Sequence, residues 1–357
     1  MQRAALGAVR AGPRLCPPPA RSFGASRPVP AAAPDKEALL ALRRRTGLPF
    51  VHCREALLRF GTDLPQAEAW LAARAQEEGW SKATKLQGRA AREGLLGLLH
   101  SGQAAVMVEV SCETDFVARN ANFQQLVQDV ALATMAHCGG AAEPPATCTK
   151  VRFPPPPPLP PPAGSATLRR SLCLSQRFLG TEELSRVRME PGGAELRDRL
   201  ALAIGKMGEN MALRRAAWLA VPQGCHIAWY VHGSPPAAAP PAPNTAPPAP
   251  ALGKYGALVA CRAAGAGPPG PEAAALCRQV AQHVVGMAPL AVGSPEDEPG
   301  GEGERRLLAQ EFLLGPGATV AQVLRPHALA VLDFVRFCCG EEAAAGAGQE
   351  EAAAARG

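Results

Sequence analysis

Apolar positions recur along this chain with two periods, and the change from one to the other is sharpest between Val108 and Asn120. Apolar residues alternate up to Cys112, as in a strand. The acidic-polar corner Glu113-Thr114-Asp115 follows, then Phe116, and beyond Asn120 the period becomes helical, with Phe123, Leu126, Val127, Val130 and Thr134 on one face. Residues 94–99 and 104–111 read as two strands joined by a turn at Ser101-Gly102. Upstream, a helix is predicted over 36–46. A second carries the stripe Cys53, Ala56, Leu57 and Phe60 and stops at Gly61. Asp63 and Gln66 form a capping-box pattern for a third, with Pro65 in its first turn and Ala67, Trp70 and Leu71 facing inward. Downstream, Leu196, Leu200, Ala203, Ile204 and Met207 mark a helix closed by Gly205 and Gly208-Glu209-Asn210. Residues 211–221 and 225–231 read as strands joined at Pro222-Gln-Gly224, and 255–261 as another. Leu276, Val280, His283, Val284 and Met287 mark a further helix. A short helix near 319–324 and a last strand over 328–337 complete the pattern.

These elements imply an α+β chain. A small three-helix domain over 35–79 is joined through a basic helical linker over 80–93, with Lys82, Lys85, Arg89 and Arg92, to two subdomains over 94–224 and 225–340. The three-helix unit resembles the ubiquitin-associated type of domain in its Thr46-Gly47-Leu-Pro-Phe turn and the following Cys53-Arg-Glu-Ala-Leu57. A weak internal repeat links the subdomains: the strand at 103–110 leads to the helix at Phe123, and the strand at 253–261 leads to the helix at Leu276. Each subdomain is therefore expected to be an antiparallel sheet with helices on one face. Two tracts interrupt them. Residues 139–177 contain Pro154 to Pro162, broken only by Leu159, which is extended polyproline by composition, and 235–250 is a Pro/Ala loop. The Ala/Glu/Gly tail, 341–357, reads as disordered.

Charge changes the picture at one end. Residues 1–34 hold Arg3, Arg10, Arg14, Arg21 and Arg27, no acid and no apolar core, the composition of a mitochondrial transit peptide. Without those five, 32 basic residues face 31 acidic ones, and so neutral a body argues against strong non-specific nucleic-acid binding. No apolar run approaches the roughly 18 residues of a membrane span. The eleven cysteines include no Cys-x-x-Cys pair and read as reduced thiols rather than zinc ligands or a disulfide framework. There is no phosphate-cradling glycine loop, no nucleophile elbow and no His-Glu-x-x-His, and the seven histidines do not cluster with acids at ligand spacing. No metal or cofactor is expected, and the residues favour a protein that acts by binding. On local sequence alone, Asp115 as a helix cap and Phe116 as a core aromatic are the bland alternatives.

Cys112-Glu-Thr-Asp-Phe-Val-Ala-Arg-Asn120 resembles the signature of translation elongation factor Ts, the guanine-nucleotide exchange factor for elongation factor Tu. The resemblance extends in order through Arg45-Thr-Gly47, Cys53 to Leu57, Trp80-Ser-Lys82, Gly205-Lys-Met-Gly-Glu-Asn210, Arg214-Arg215, Tyr230-Val-His-Gly233, His283 to Pro289 and Asp333-Phe-Val-Arg-Phe337. The leader, and the short stretch from Pro289 to Leu307, are similar to the mitochondrial branch and imply the mitochondrial matrix. The resemblance implies a heterodimer with mitochondrial elongation factor Tu, with no nucleotide, nucleic acid or membrane bound by this chain and no covalent catalysis. It implies G-domain contacts at Asp115, Phe116, Met207 and Gly208, the phenylalanine wedging near the partner's magnesium site. It implies further contacts at Thr114, Val117, His232 and Arg54. Two positions where the family often carries a lysine hold Glu55 and Leu86 here, so this chain departs from the family pattern at both. The rival reading is a ubiquitin-binding adaptor without exchange activity, resting on the three-helix unit alone.

Overall fold

The computed structural model describes residues 36–46, 48–61, 63–140, 174–190, 192–235, 249–263, 269–301 and 303–341. The Arg-rich leader, most of both proline tracts and the tail after Glu341 lie outside the described residues. By its internal packing the chain divides into two units, up to Glu68 and from Ala69 onward.

In the first unit, α1 (Lys36–Thr46) and α2 (Phe50–Phe60) bury Leu42, Cys53, Ala56 and Leu57. The Arg43 guanidinium donates to the Leu48 carbonyl at 2.7 Å and lies 4.5 Å from the centre of the Phe50 ring, which fixes the turn between the helices. Gly61 ends α2 with φ +62, its N–H on the Leu57 carbonyl at 2.8 Å. The Asp63 carboxylate accepts the Gln66 N–H at 3.1 Å and so opens α3 (Leu64–Leu86). The sequence predicts a third helix and a separate linker after it, but α3 runs unbroken for 23 residues. Its second half has packing of its own in the second unit, so nothing stops it at Gly79. A Cβ at Gly79 would stand 2.3 Å from the Ala201 carbonyl oxygen, a helix crossing that only glycine permits.

The second unit is built on two antiparallel sheets. β1 (Glu93–Ser101) and β2 (Ala104–Cys112) form a hairpin around Gly102-Gln103, one residue later than the sequence predicts, with Gly102 at φ +60. After β2 come the single turn α4 (Asp115–Ala118) and the long helix α5 (Ala121–Gly139). β3 (Ser175–Gly180), α6 (Thr181–Ser185), α7 (Leu196–Met207) and β4 (Met211–Ala220) follow. β5 (Cys225–His232), β6 (Ala251–Gly253) and β7 (Tyr255–Ala263) lead to α8 (Pro271–Met287), α9 (Val320–Leu324) and β8 (Leu329–Cys338). The first sheet has the order β3-β4-β2-β1-β6 and the second β5-β7-β8. β3, α6 and β6 are absent from the sequence reading. Edge strands that are short and half-polar carry no clean period, and β6 has only three residues.

Each sheet carries helices on one face, as the repeat implies, but the other faces are not solvated. The first sheet buries Leu95, Val106, Val108 and Val110 under α5 and α7, and the second buries Ala257, Val259 and Cys261 under α8. The alternate residues, Leu96, Leu98, Ala105 and Met107 on one side and Leu258, Ala260, Val335 and Phe337 on the other, pack sheet against sheet. Four layers result: helix, sheet, sheet, helix. Two corrections follow. Met287 is exposed rather than core, and Gly205 lies inside α7, which ends at Gly208 as expected.

Among the described residues, one carboxylate is buried between the sheets. Glu109 is 1 % exposed and accepts Arg215 Nε at 2.6 Å and the Gly340 N–H at 2.9 Å. Arg215 also donates to the Cys338 carbonyl at 3.2 Å and sits 4.3 Å from the centre of the Phe337 ring. Residues of β2, β4 and β8 thus share one polar joint in an apolar interface. Removing the guanidinium leaves a carboxylate without its counter-charge, so Arg215→Ala should cost about 3 kcal/mol in urea unfolding. Glu109→Leu with Arg215→Met should recover most of that loss; an Arg215→Ala protein as stable as the wild type would contradict the joint.

Candidate functional site

The site begins with a strand pairing. Cys112, the last residue of β2, lies opposite Met211, the first residue of β4. The chain reverses just after the one and just before the other, so two corners stand side by side. The first corner is Glu113 to Ala118. Thr114 is extended, at φ −126 and ψ 154, and its hydroxyl accepts the Val117 N–H at 3.4 Å, capping α4. The second corner is Met207 to Asn210. Gly208 takes φ +75, which a glycine adopts without strain, and its N–H closes α7 on the Ile204 carbonyl at 2.8 Å.

Two glutamates cross between these corners. Glu209 accepts the Thr114 N–H at 3.1 Å and the Thr114 hydroxyl at 2.8 Å. Glu113 accepts the Asn210 N–H at 2.7 Å and lies 3.5 Å from the Arg89 guanidinium. The Asn210 amide donates to the Arg89 carbonyl at 2.7 Å. Lys82 donates to the Gly205 carbonyl at 2.9 Å, a cation at the negative end of α7.

A single helical turn decides what this brace presents. Successive residues rotate by about 100°, so Val117 and Ala118 turn into the core while Asp115 and Phe116 turn away. Phe116 is 78 % exposed, the most exposed of the described large apolar side chains. Asp115 pairs with Arg119 at 2.8 Å on the surface. Of the bland alternatives, neither holds: Thr114, not Asp115, is the cap, and Phe116 is not core. Val117, expected as a contact, is 8 % exposed and packed under the turn. Met207 is half-buried against the same core and Gly208 is exposed.

His232 is exposed at the end of β5, its ring 6.3 Å from Tyr230 and 6.2 Å from Tyr255. Its carbonyl accepts the Lys254 N–H at 2.8 Å, Lys254 pairs with Glu93 at 2.5 Å, and Glu93 lies opposite Cys112 in the β1–β2 register. His232 therefore lies at the same end of the two-sheet stack as both corners. Arg54 is exposed on α2, in the first unit. The sequence reading missed Arg89, Glu113 and Glu209 as working residues, although Glu113 and Glu209 stand inside the two quoted motifs.

Phe116 thus stands exposed on a corner braced by Glu113 and Glu209. Among the described residues no group of three or more His, Cys, Asp or Glu is placed to hold a metal, and no helix is long and apolar enough to cross a membrane. The described cysteines form no disulfide.

Comparison with known proteins gives the family. Residues 20–81 match the family described as Elongation factor Ts, mitochondrial, N-terminal, and residues 164–297 match Elongation factor TS. The mouse protein named Elongation factor Ts, mitochondrial, is 48% identical over 326 residues, 90% of this chain and 88% of its own length. The human protein of that name is 46% identical over 329 residues, covering 92% and 90%, and the Xenopus laevis one 46% over 311 residues, covering 87% and 88%. This chain belongs to the elongation factor Ts family of translation factors.

The packing at the corner has a chemical consequence. Burial, and next the Glu209 charge, push the Cys112 thiol up to about 12, and it donates to the Thr114 carbonyl at 3.1 Å. The nucleophilic thiolate is therefore absent at pH 8. Iodoacetamide at that pH should leave Cys112 unlabelled in the folded protein and label it after denaturation; native labelling at the rate of a free thiol would contradict the closed corner.

Proposed function

We propose that this protein is a guanine-nucleotide exchange factor that binds mitochondrial elongation factor Tu carrying GDP and promotes GDP release. The observation that carries the reading is the Phe116 ring, 78 % exposed on a braced turn beside Met207 and Gly208. In this reading Phe116 inserts into the partner's G domain and disturbs the groups that hold magnesium and phosphate. Asp115, Met207 and Gly208 make the adjoining contacts, and Thr114, His232 and Arg54 lie at further ones. The nucleotide and its ion stay on the partner, so this chain needs no cofactor and forms no covalent bond. The mitochondrial matrix is the proposed location, supported by the acid-free arginine-bearing leader and by the names of the relatives.

Magnitudes limit what one ring contributes. Fully burying a phenylalanine is worth about 1.5–3 kcal/mol. Loosening a nucleotide a thousandfold takes roughly 4 kcal/mol, and by linkage the nucleotide weakens the factor's own binding by the same factor. Phe116 therefore shares the coupling with neighbouring contacts, which fits two corners acting as one surface.

Stopped-flow release of a fluorescent GDP from mitochondrial elongation factor Tu tests the reading. The wild-type protein should accelerate release, and Phe116→Ala should keep the fold and lose roughly 10- to 100-fold of the acceleration. No acceleration by the wild type would sink the exchange reading, and an unimpaired Phe116→Ala protein would remove the wedge.

A further inference from the structure

The antiparallel ladder between β2 and β4 ends at Cys112 and Met211. Beyond it the backbone N–H groups of Thr114 and Asn210 have no strand partner, and each is taken by a carboxylate from the opposite corner. We infer that Glu209 and Glu113 are positioning residues for nucleotide exchange: they lock the Phe116 turn and the Met207–Gly208 cap into one preorganised surface. The inference rests on the exchange reading above and names what sets the geometry of that site.

The exchange of contacts is reciprocal and uses every carboxylate oxygen. Glu209 Oε2 takes the Thr114 N–H and Oε1 its hydroxyl, while Glu113 Oε1 takes the Asn210 N–H and Oε2 faces Arg89. Thr114 is the residue that caps α4 and stands two positions before Phe116. Whatever holds Thr114 therefore sets where the ring points. Neither glutamate carries the exposed apolar surface that would itself fill a partner's groove. A glutamine at 209 has nearly the same size but no charge: its oxygen still accepts the Thr114 N–H and its amide can donate to the Thr114 hydroxyl, so both bonds lose their charge assistance. A flexible corner meets the partner as often but spends less time in the productive pose, so the loss falls on the maximal rate rather than on affinity.

Two measurements on Glu209→Gln test this. In the free protein, amide hydrogen exchange at residues 114–118 should speed up about tenfold, the worth of the charge assistance lost from the Thr114 bonds. In GDP release from the partner, the maximal rate should fall about tenfold while the half-saturating concentration stays within about twofold. Placed in a Phe116→Ala background, Glu209→Gln should cost less than about twofold more, because the ring it positions is gone. Unchanged amide exchange, or the full loss in both backgrounds, would overturn the inference. Should Glu209→Gln fail to fold, Glu113→Gln is read by the same measurements at residues 207–211. If the wild-type protein does not accelerate release, the exchange reading fails by itself, and the amide measurement still decides whether Glu209 holds the corner.

Discussion

The pairing of Cys112 with Met211 is the constraint on which the candidate site depends. A β-ladder holds its end residues in fixed register, and here both flanking segments reverse direction at once. The chain turns away from β2 into α4 and arrives at β4 from α7. Those reversals strand two backbone donors, and Glu113 and Glu209 satisfy them across the gap. Unsatisfied polar groups are costly when withdrawn from water, so the brace closes a debt that the topology itself creates. Its by-product is a braced surface on which the Phe116 ring is exposed.

The rest of the second unit packs that ladder from both sides. β1 and β2 are buried on both faces, one face under α5 and the other against the second sheet. Close-packed interiors transmit displacement rather than absorb it. The Glu109–Arg215 joint ties β2 and β4 to the end of β8, near the same end of the stack that carries the corners. The Lys254–Glu93 pair links the second sheet's turn to the start of β1 in the same region. This arrangement places two strands buried on both faces directly behind the Phe116 corner.

Much of this was legible in the sequence, for local reasons. The five residues named for the α5 face, Phe123 to Thr134, are all buried, because helical period is a short-range signal. The end of β2 and the start of α5 fall where the period changes. What the sequence did not reveal is long-range or sub-turn. Glu209 and Thr114 lie 95 residues apart, and no periodicity links them. The choice between Phe116 and Val117 depends on a rotation within one turn of α4. The burial of both sheet faces, and the continuity of α3 past Gly79, depend on packing partners that sit far along the chain.

Hydrogen–deuterium exchange of this chain, with and without mitochondrial elongation factor Tu, tests most directly whether the two corners act as one surface. The account predicts that amides of residues 114–119 and 207–211 slow together on adding the partner, residues joined in the free protein by the Glu113 and Glu209 bonds. Protection of one corner without the other, or of neither, would contradict it.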